Sequence, residues 1–222
     1  MPCAEFMTAR SERAWVLPAP DLSLEQAWWR SGMASVGGID EAGRGAWAGP
    51  VAAGAVVLPP DPAVGLALSG VRDSKQMTPA QREYWAGKIK STAVAWAVGL
   101  ASHLEIDAIG ILPATRLAAC RAVEGLPHLP DALLLDWLYL PGLRLPQTAL
   151  VRGDGRVLSI ACASVLAKTT RDALLVAQDA IYPAYGFASH KGYGTPAHQS
   201  ALRIHGPCLI HRLSFKPLLE YR

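Results

Sequence analysis

The sequence predicts an α/β fold: a mixed central sheet flanked by helices, ending in a short helical and loop extension. Three observations carry that expectation. Short apolar runs come first along the chain and alternate with helical stretches after residue 78, the order expected of a sheet covered by helices. Apolar residues make up 51% of the 222 and charged residues 18%, enough for a substantial core and too little charge for a disordered chain. The chain carries no internal repeat and no low-complexity stretch, which sets aside solenoids and arrays.

Residues 1–35 read as an N-terminal extension, with Pro18, Pro20 and the tryptophans Trp15, Trp28 and Trp29. A short helix is expected over Leu22–Arg30, with Ser23 and Gln26 as a capping box. Val36–Asp40 and Val51–Leu58 are apolar runs, the second stopped by Pro59-Pro60, and both read as buried strands. Asp61–Gly70 reads as a loop. Thr78-Pro79 opens a helix that runs to about Lys90, with Thr as N-cap and Pro at the first helical position. A third strand is expected at Ala93–Leu100 and helices at Glu105–Ile111 and Pro113–Val123. Ala132–Leu135 is a strand that delivers Asp136, and Gln147–Arg152 is a further strand. Leu158–Tyr182, rich in Ala and Leu, is the longest helix. Residues 36–195 thus form the main domain. Residues 196–222 form a C-terminal extension of one short helix, Pro196–Ile204, and loop.

Bulk properties exclude several classes. The longest apolar stretches, Ala46–Leu58 and Ala132–Leu140, are too short to span a bilayer, and no secretory h-region is visible. Cys3, Cys120, Cys162 and Cys208 form no C-x-x-C pair, so free thiols in a reducing cytoplasm are expected. The net charge of +3 is compatible with a nucleic-acid partner without establishing one. There is no G-x-x-x-x-G-K-[ST] phosphate loop. His205-x-x-Cys208-x-x-His211 has metal-like spacing, but Gly206-Pro207 breaks any helix that would present it. A monomer is the expected state.

The chemistry sits in acids at the ends of buried elements. In Gly37-Gly38-Ile39-Asp40-Glu41-Ala42-Gly43-Arg44-Gly45, two adjacent acids follow an apolar strand and precede an arginine between glycines. Adjacent strand residues point to opposite faces, so Asp40 and Glu41 share a site only if the strand ends or bulges there. Gly43 and Gly45 let a ligand approach the backbone, and Arg44 suits a phosphate. Asp136 ends Leu133-Leu134-Leu135, and an acid there wants a cation, since desolvating an unpaired carboxylate costs on the order of several kcal/mol. Asp172 ends an apolar helical run, four residues after Lys168. Each has an ordinary alternative: a polar turn, a strand-end cap, and a surface i,i+4 pair. Taken together, hard oxygen ligands without Cys or His suit Mg²⁺ or Mn²⁺, which in pairs support phosphodiester hydrolysis.

These segments resemble the ribonuclease HII family. Gly38–Gly45 is similar to its opening motif, Asp73-Ser74-Lys75 to its D-S-K segment, and Leu134-Leu135-Asp136 to its third acidic strand end. Gly153-Asp154 and Ser159–Asp172 resemble its signature helix region, and His190–Thr195 and His211–Phe215 its C-terminal motifs. The blocks come in the family's order across residues 37–217. The resemblance implies a ribonuclease H-like fold and an endonuclease that cuts the RNA of RNA–DNA hybrids. It also implies cleavage on the 5′ side of ribonucleotides in duplex DNA, leaving 3′-hydroxyl and 5′-phosphate ends. Asp40, Glu41, Asp136 and Asp172 would be the catalytic carboxylates, binding Mn²⁺ or Mg²⁺. Gly43, Arg44 and Gly45 would contact the ribonucleotide and its 2′-hydroxyl, Lys75 would contact substrate, and Tyr193 would stack near the sugar. Lys168, Arg171, Lys191, Arg203, Arg212 and Lys216, with Tyr193 and Phe215, would form a duplex-holding face.

Two departures stand out. Trp137 occupies the position after the third acid where family members usually have glycine, and Gly155-Arg156 stands where many carry a nearby lysine. Two rivals are weighed. Ribonuclease HIII typically has a larger N-terminal domain than the roughly 35 residues here. A binding module without chemistry is disfavoured by the intact acid set.

Overall fold

A computed structural model of the chain describes residues 19–221. In order, the elements are α1 (Ser23–Arg30), β1 (Val36–Ala42), β2 (Val51–Val57), α2 (Val64–Ala67), α3 (Pro79–Thr92), β3 (Ala95–Ala101) and α4 (His103–Ile109). Then follow α5 (Ile111–Glu124), β4 (Ala132–Asp136), β5 (Gln147–Leu150), α6 (Leu158–Ile181), α7 (Phe187–His190) and α8 (Pro196–His205). Turns of 3-10 helix lie at Ser74–Gln76, Gly153–Gly155 and Lys216–Tyr221. The five-stranded sheet has the order β3-β2-β1-β4-β5. β1 pairs antiparallel with β2 and parallel with β4. β3 adds antiparallel to β2, and β5 parallel to β4. None of the described helices is long and apolar enough to cross a membrane.

Alternation along the strands assigns the two faces. Ile39, Leu133 and Leu135 pack with Ala114, Ala118 and Ala122 of α5 on one side. Leu134 packs with Ile160 of α6 on the other, where Val56 meets Ala161 and Val165. The first half of α6 is small and apolar because it lies almost on the sheet. A Cβ on Gly38 would stand 2.2 Å from the Ser159 carbonyl carbon, and one on Gly54 would stand 2.3 Å from the Ala163 oxygen. Gly54→Ala therefore forces the helix off the sheet, and a loss of about 1–3 kcal/mol is expected for such overpacking. A urea midpoint equal to wild type would contradict this account of the small-residue face.

Local chemistry explains most element boundaries. Thr78 and Gln81 form the capping box of α3, with Pro79 at its start. α4 begins at His103, earlier than the sequence suggested, because Ser102 and Glu105 form a second capping box. Gly110, at φ +84°, divides α4 from α5. The expected loop at Asp61–Gly70 contains α2, and the tail contains a 3-10 turn.

The capping box expected at Ser23 and Gln26 does not form: Leu22 is the N-cap of α1, without a side-chain bond. Asp21 takes that task, its Oδ1 accepting from the Ser23 amide at 2.8 Å. The lead-in is docked. Asp21 bridges to Val157. Glu25 is buried and accepts from the Ser159 amide at 2.8 Å, at the first turn of α6. Trp28 and Trp29 pack against the cluster of Val36, Leu134, Val157 and Ile160. Trp15 lies outside the described residues.

The C-terminal third closes over a chain of imidazoles. His211 Nδ1 accepts from the Cys208 amide at 2.9 Å, which leaves its Nε2–H to donate to His198 Nε2, also at 2.9 Å. His198 Nδ1–H then donates to the Tyr193 carbonyl at 3.0 Å. These contacts use up the ring nitrogens of His211, so the His205, Cys208, His211 spacing does not make a metal site. Burial pushes His198 and His211 down to about 4. Both stay neutral in the fold, whereas in the unfolded chain they protonate near 6.5. Their contribution to stability is thus full above about pH 6.5 and is lost as pH falls towards 4. Urea midpoints should drop between pH 7.5 and pH 5, and less so in His198→Gln.

Candidate active site

The parallel pairing of β1 with β4 ends at Ile39 and Leu135. Past those residues each strand continues into an acid, so a crevice opens at the C-terminal ends of two parallel strands. That is the usual ligand site of such sheets, at the point where strand pairing changes sense. β1 itself runs on without a break: Asp40, Glu41 and Ala42 stay in register with Gly54, Ala53 and Ala52. The expected end or bulge at Asp40 is absent. Small β2 partners allow the ladder to continue, so Asp40 and Glu41 lie on opposite faces of the strand, Glu41 lining the cleft and Asp40 buried behind it.

Asp40 is 3% exposed. Its Oδ1 accepts from the Glu41 amide at 2.7 Å, and its Oδ2 is buried without a hydrogen-bond partner of normal length. Burial, and then the Glu41 carboxylate, hold its carboxyl well above the usual range; the nearby Ser164 hydroxyl opposes this and Asp136 adds to it. Asp136 accepts from the Gly153 amide at 2.7 Å, and burial raises it too. Glu41 accepts from Trp137 Nε1 at 3.0 Å and from Arg44 Nη1 at 3.1 Å. Asp154, in the Gly153–Gly155 turn, is 6% exposed. It is raised by burial and by Asp73 and Asp136, and lies 3.7 Å from Lys75 Nζ. Partial burial opposes the Lys75 ammonium, yet Asp73, Asp40, Asp154 and Asp136 together hold it above its usual range.

The structure therefore brings Asp40, Glu41 and Asp136 together, and adds Asp154. It does not bring Asp172. Ala163 of α6 faces Gly54, the cross-strand partner of Asp40. Asp172 is nine residues further along that helix, roughly 13 Å at 1.5 Å per residue. There it is ion-paired with Lys168 at 2.8 Å and Arg82 at 3.7 Å. Among the described residues no three His, Cys, Asp or Glu side chains converge on one ion-sized point. The chemistry of the set still suits a hard cation: all-oxygen donors, mutual repulsion, and a buried carboxylate oxygen with nothing to bind.

Glu41, Gly43, Arg44, Gly45, Lys75 and Tyr193 line one cleft of about 580 Å³. A neighbouring cleft of about 660 Å³ is lined by Asp136, Trp137 and Asp154 with Arg72, Lys75, Arg152 and Arg156. Lys75 stands between them. Gly43 has φ +89°, and a Cβ there would collide with the Arg171 side chain, whereas Gly45 faces open space. The Tyr193 ring has Lys168 Nζ 5.2 Å from its centroid.

The expected duplex-holding face is corrected in two places. Arg171 and Arg212 are fully buried. Arg171 donates to the carbonyls of Pro50, Ala48 and Lys191. Arg212 donates to Gly49, Arg44 and Pro50. They brace the loop that carries Gly43–Gly45. Their backbone-carbonyl partners carry no sequence signature, although an arginine amid small apolar helix residues was a hint. Lys168 is tied to Asp172, while Arg203 and Lys216 remain exposed.

The family model described as Ribonuclease HII matches residues 37–218. The chain belongs to the ribonuclease HII family. Similar relatives include a ribonuclease HII of Chloroflexus aurantiacus, 53% identical over 205 residues, covering 90% of this chain and 95% of the relative. One from Moorella thermoacetica is 50% identical over 192 residues, covering 86% and 91%. Among solved structures, ribonuclease H2 of Pyrococcus horikoshii OT3 superposes with a TM-score of 0.71 at 25% identity, covering 84% of this chain and 96% of that one. The ribonuclease HII of Archaeoglobus fulgidus, solved in complex with PCNA, has a TM-score of 0.68 at 22% identity, covering 84% and 96%. These likenesses establish the ribonuclease H-like fold.

Proposed function

We propose that the chain hydrolyses the RNA strand of RNA–DNA hybrids and cuts on the 5′ side of ribonucleotides embedded in duplex DNA. Family membership makes it a metal-dependent endoribonuclease acting on such hybrids. One observation carries the finer reading. The buried, unpartnered Asp40 oxygen stands among Glu41, Asp136 and Asp154 beside clefts bearing cations, open glycine backbone and Tyr193. Asp40, Glu41, Asp136 and Asp154 would hold Mn²⁺ or Mg²⁺, with Asp154 in the place the sequence reading gave to Asp172. Bound there, the divalent cations would supply nucleophile activation and charge stabilisation at the phosphate.

The rest falls to the chain's own residues. Gly45, open to the cleft, and Gly43 offer backbone at close range to a 2′-hydroxyl, the group that separates RNA from DNA. Arg44 carries a planar fork suited to a phosphate. Lys75, exposed and held charged, lies where a backbone phosphate would pass the acids. Tyr193 presents a ring face to a sugar or base. The substrate is thus an RNA–DNA hybrid or a DNA duplex with ribonucleotides, bound by a monomer in the cytoplasm.

The deciding experiment is cleavage of a labelled DNA duplex holding one ribonucleotide, with an all-DNA control, in Mg²⁺, Mn²⁺ and EDTA. A metal-dependent cut 5′ of the ribonucleotide is expected, absent from the control and in EDTA. Cleavage of long hybrids alone would remove the junction roles of Gly43, Gly45 and Tyr193. Tight hybrid binding without any cut would remove the catalytic reading.

A further inference from the structure

Trp137 follows Asp136 at the end of β4. Its φ is +42°, and the Leu138 amide donates to the Asp136 carbonyl across it. Trp137 is therefore the centre of a γ-turn of the rarer, strained hand. Glycine adopts such a conformation freely; a bulky side chain there is an outlier. Strain of this kind persists only where the surroundings over-determine it, and it gathers at functional sites.

The surroundings here are parts of the acid site. Trp137 Nε1–H lies 3.0 Å from both Glu41 oxygens. The Arg44 guanidinium sits 4.0 Å from the indole centroid, and its Nη1 also donates to Glu41 at 3.1 Å. The indole packs against the cluster of Ile39 and Leu135. The three side chains make a closed triangle that joins β1, the loop after it and the turn after β4. An indole N–H is a donor only, so it holds Glu41 as an acceptor, and the charged partner strengthens that bond. The ring face holds Arg44 by a cation–π contact.

On the acid-site reading above, we propose that Trp137 is a positioning residue that fixes the Glu41 carboxylate beside Asp40 and Asp136, holds Arg44 at the cleft, and thereby sets the site's affinity for divalent cations. Partners that orient a metal ligand from behind typically contribute about 10- to 100-fold to metal affinity.

The test is Mn²⁺ binding to the full chain by calorimetry, without nucleic acid, alongside thermal melting. Trp137→Phe keeps the ring for Arg44 and for packing but removes the N–H. It should bind Mn²⁺ about 10-fold more weakly with little change in melting temperature. Cleavage should be lost at limiting metal and recovered at saturating metal, with substrate KM unchanged. Trp137→Gly should show the same weakening and, lacking the Arg44 platform, a raised KM. Wild-type Mn²⁺ affinity in both variants would overturn the proposal and leave Trp137 a packing residue. Tighter binding would also overturn it, by showing that the indole restrains Glu41 from the cation. A wild-type chain that takes up no Mn²⁺, or an Asp136→Asn variant that binds it as wild type does, would remove the acid-site reading and this proposal with it.

Discussion

Asp154→Asn is expected to abolish cleavage of an RNA–DNA hybrid, while Asp172→Asn cleaves at close to the wild-type rate. The two residues separate cleanly in their surroundings. Asp154 is raised by burial and by Asp73 and Asp136, which together outweigh Lys75 at 3.7 Å. Asp172 has two cations, Lys168 at 2.8 Å and Arg82 at 3.7 Å. Crowded acids whose repulsion outweighs the cation beside them are costly to the fold and mark a site suited to a further cation; an acid held by two cations is satisfied. Loss of a residue that merely orients a metal ligand costs about 10- to 100-fold, so loss of the ligand itself should cost roughly 100-fold or more. Stability should move the other way. Replacing Asp154 relieves repulsion and should hold or raise the melting temperature, the usual trade between function and stability. Replacing Asp172 breaks a part-buried pair and should cost about 1 kcal/mol. Steady-state cleavage and melting curves of both variants decide it. An inactive Asp172→Asn beside an active Asp154→Asn would restore the set first read from the sequence.

That contrast shows where sequence reading reached its limit. The strands of the central sheet were legible because burial on both faces writes continuous apolar runs, as in Val51–Val57 and Ala132–Leu135. α6 was legible by its length and composition, and α3 by its Thr-Pro start. Asp40, Glu41 and Asp136 stand out in the sequence because acids directly after buried strands have few innocent uses. Asp172 stands out for a reason that does not separate two cases. An apolar run followed by Lys and Asp at i,i+4 looks the same whether the pair faces a site or neutralises itself. Distance along the helix decides between these, and that depends on where α6 lies against Gly38 and Gly54. Asp154 was hidden in a turn whose position is set by one long-range bond, from the Gly153 amide to Asp136. The strand through Glu41 held the opposite lesson. Period-two alternation points to a break at Asp40, whereas the strand runs on unbroken and β4 stops pairing beside it, which opens the gap.

Arg212→Ala should lower stability more than any substitution of an exposed cation, and Arg212→Lys should not rescue it. Arg212 is fully buried and donates to three carbonyls, those of Gly49, Arg44 and Pro50. Burial and the like charge of Arg171 both disfavour its cation. Among the described residues neither arginine forms an ion pair. The carbonyl dipoles are what compensate these charges. Removing the side chain takes its donor from the Gly49 and Arg44 carbonyls, while Pro50 keeps the bond from Arg171, at about 1–3 kcal/mol for each buried acceptor left unmet before relaxation. A net loss of about 3–5 kcal/mol is expected, the range for breaking a buried charged network. At about 2–4 °C per kcal/mol for a domain of this size, melting should fall by roughly 6–20 °C. Lysine has the charge but not the planar fork, so it can satisfy one carbonyl direction and not the fan of three. The functional consequence follows from which carbonyls these are. Arg44 and Gly49 bound the loop that carries the open Gly45 backbone, so cleavage should fall even at temperatures where circular dichroism shows the variant folded. Lys88→Ala, at an exposed position of α3, is the control and should change neither quantity. A folded Arg212→Lys with wild-type melting and cleavage would mean that the loop holds its shape without the fork, and the brace would lose its part in placing Gly43–Gly45.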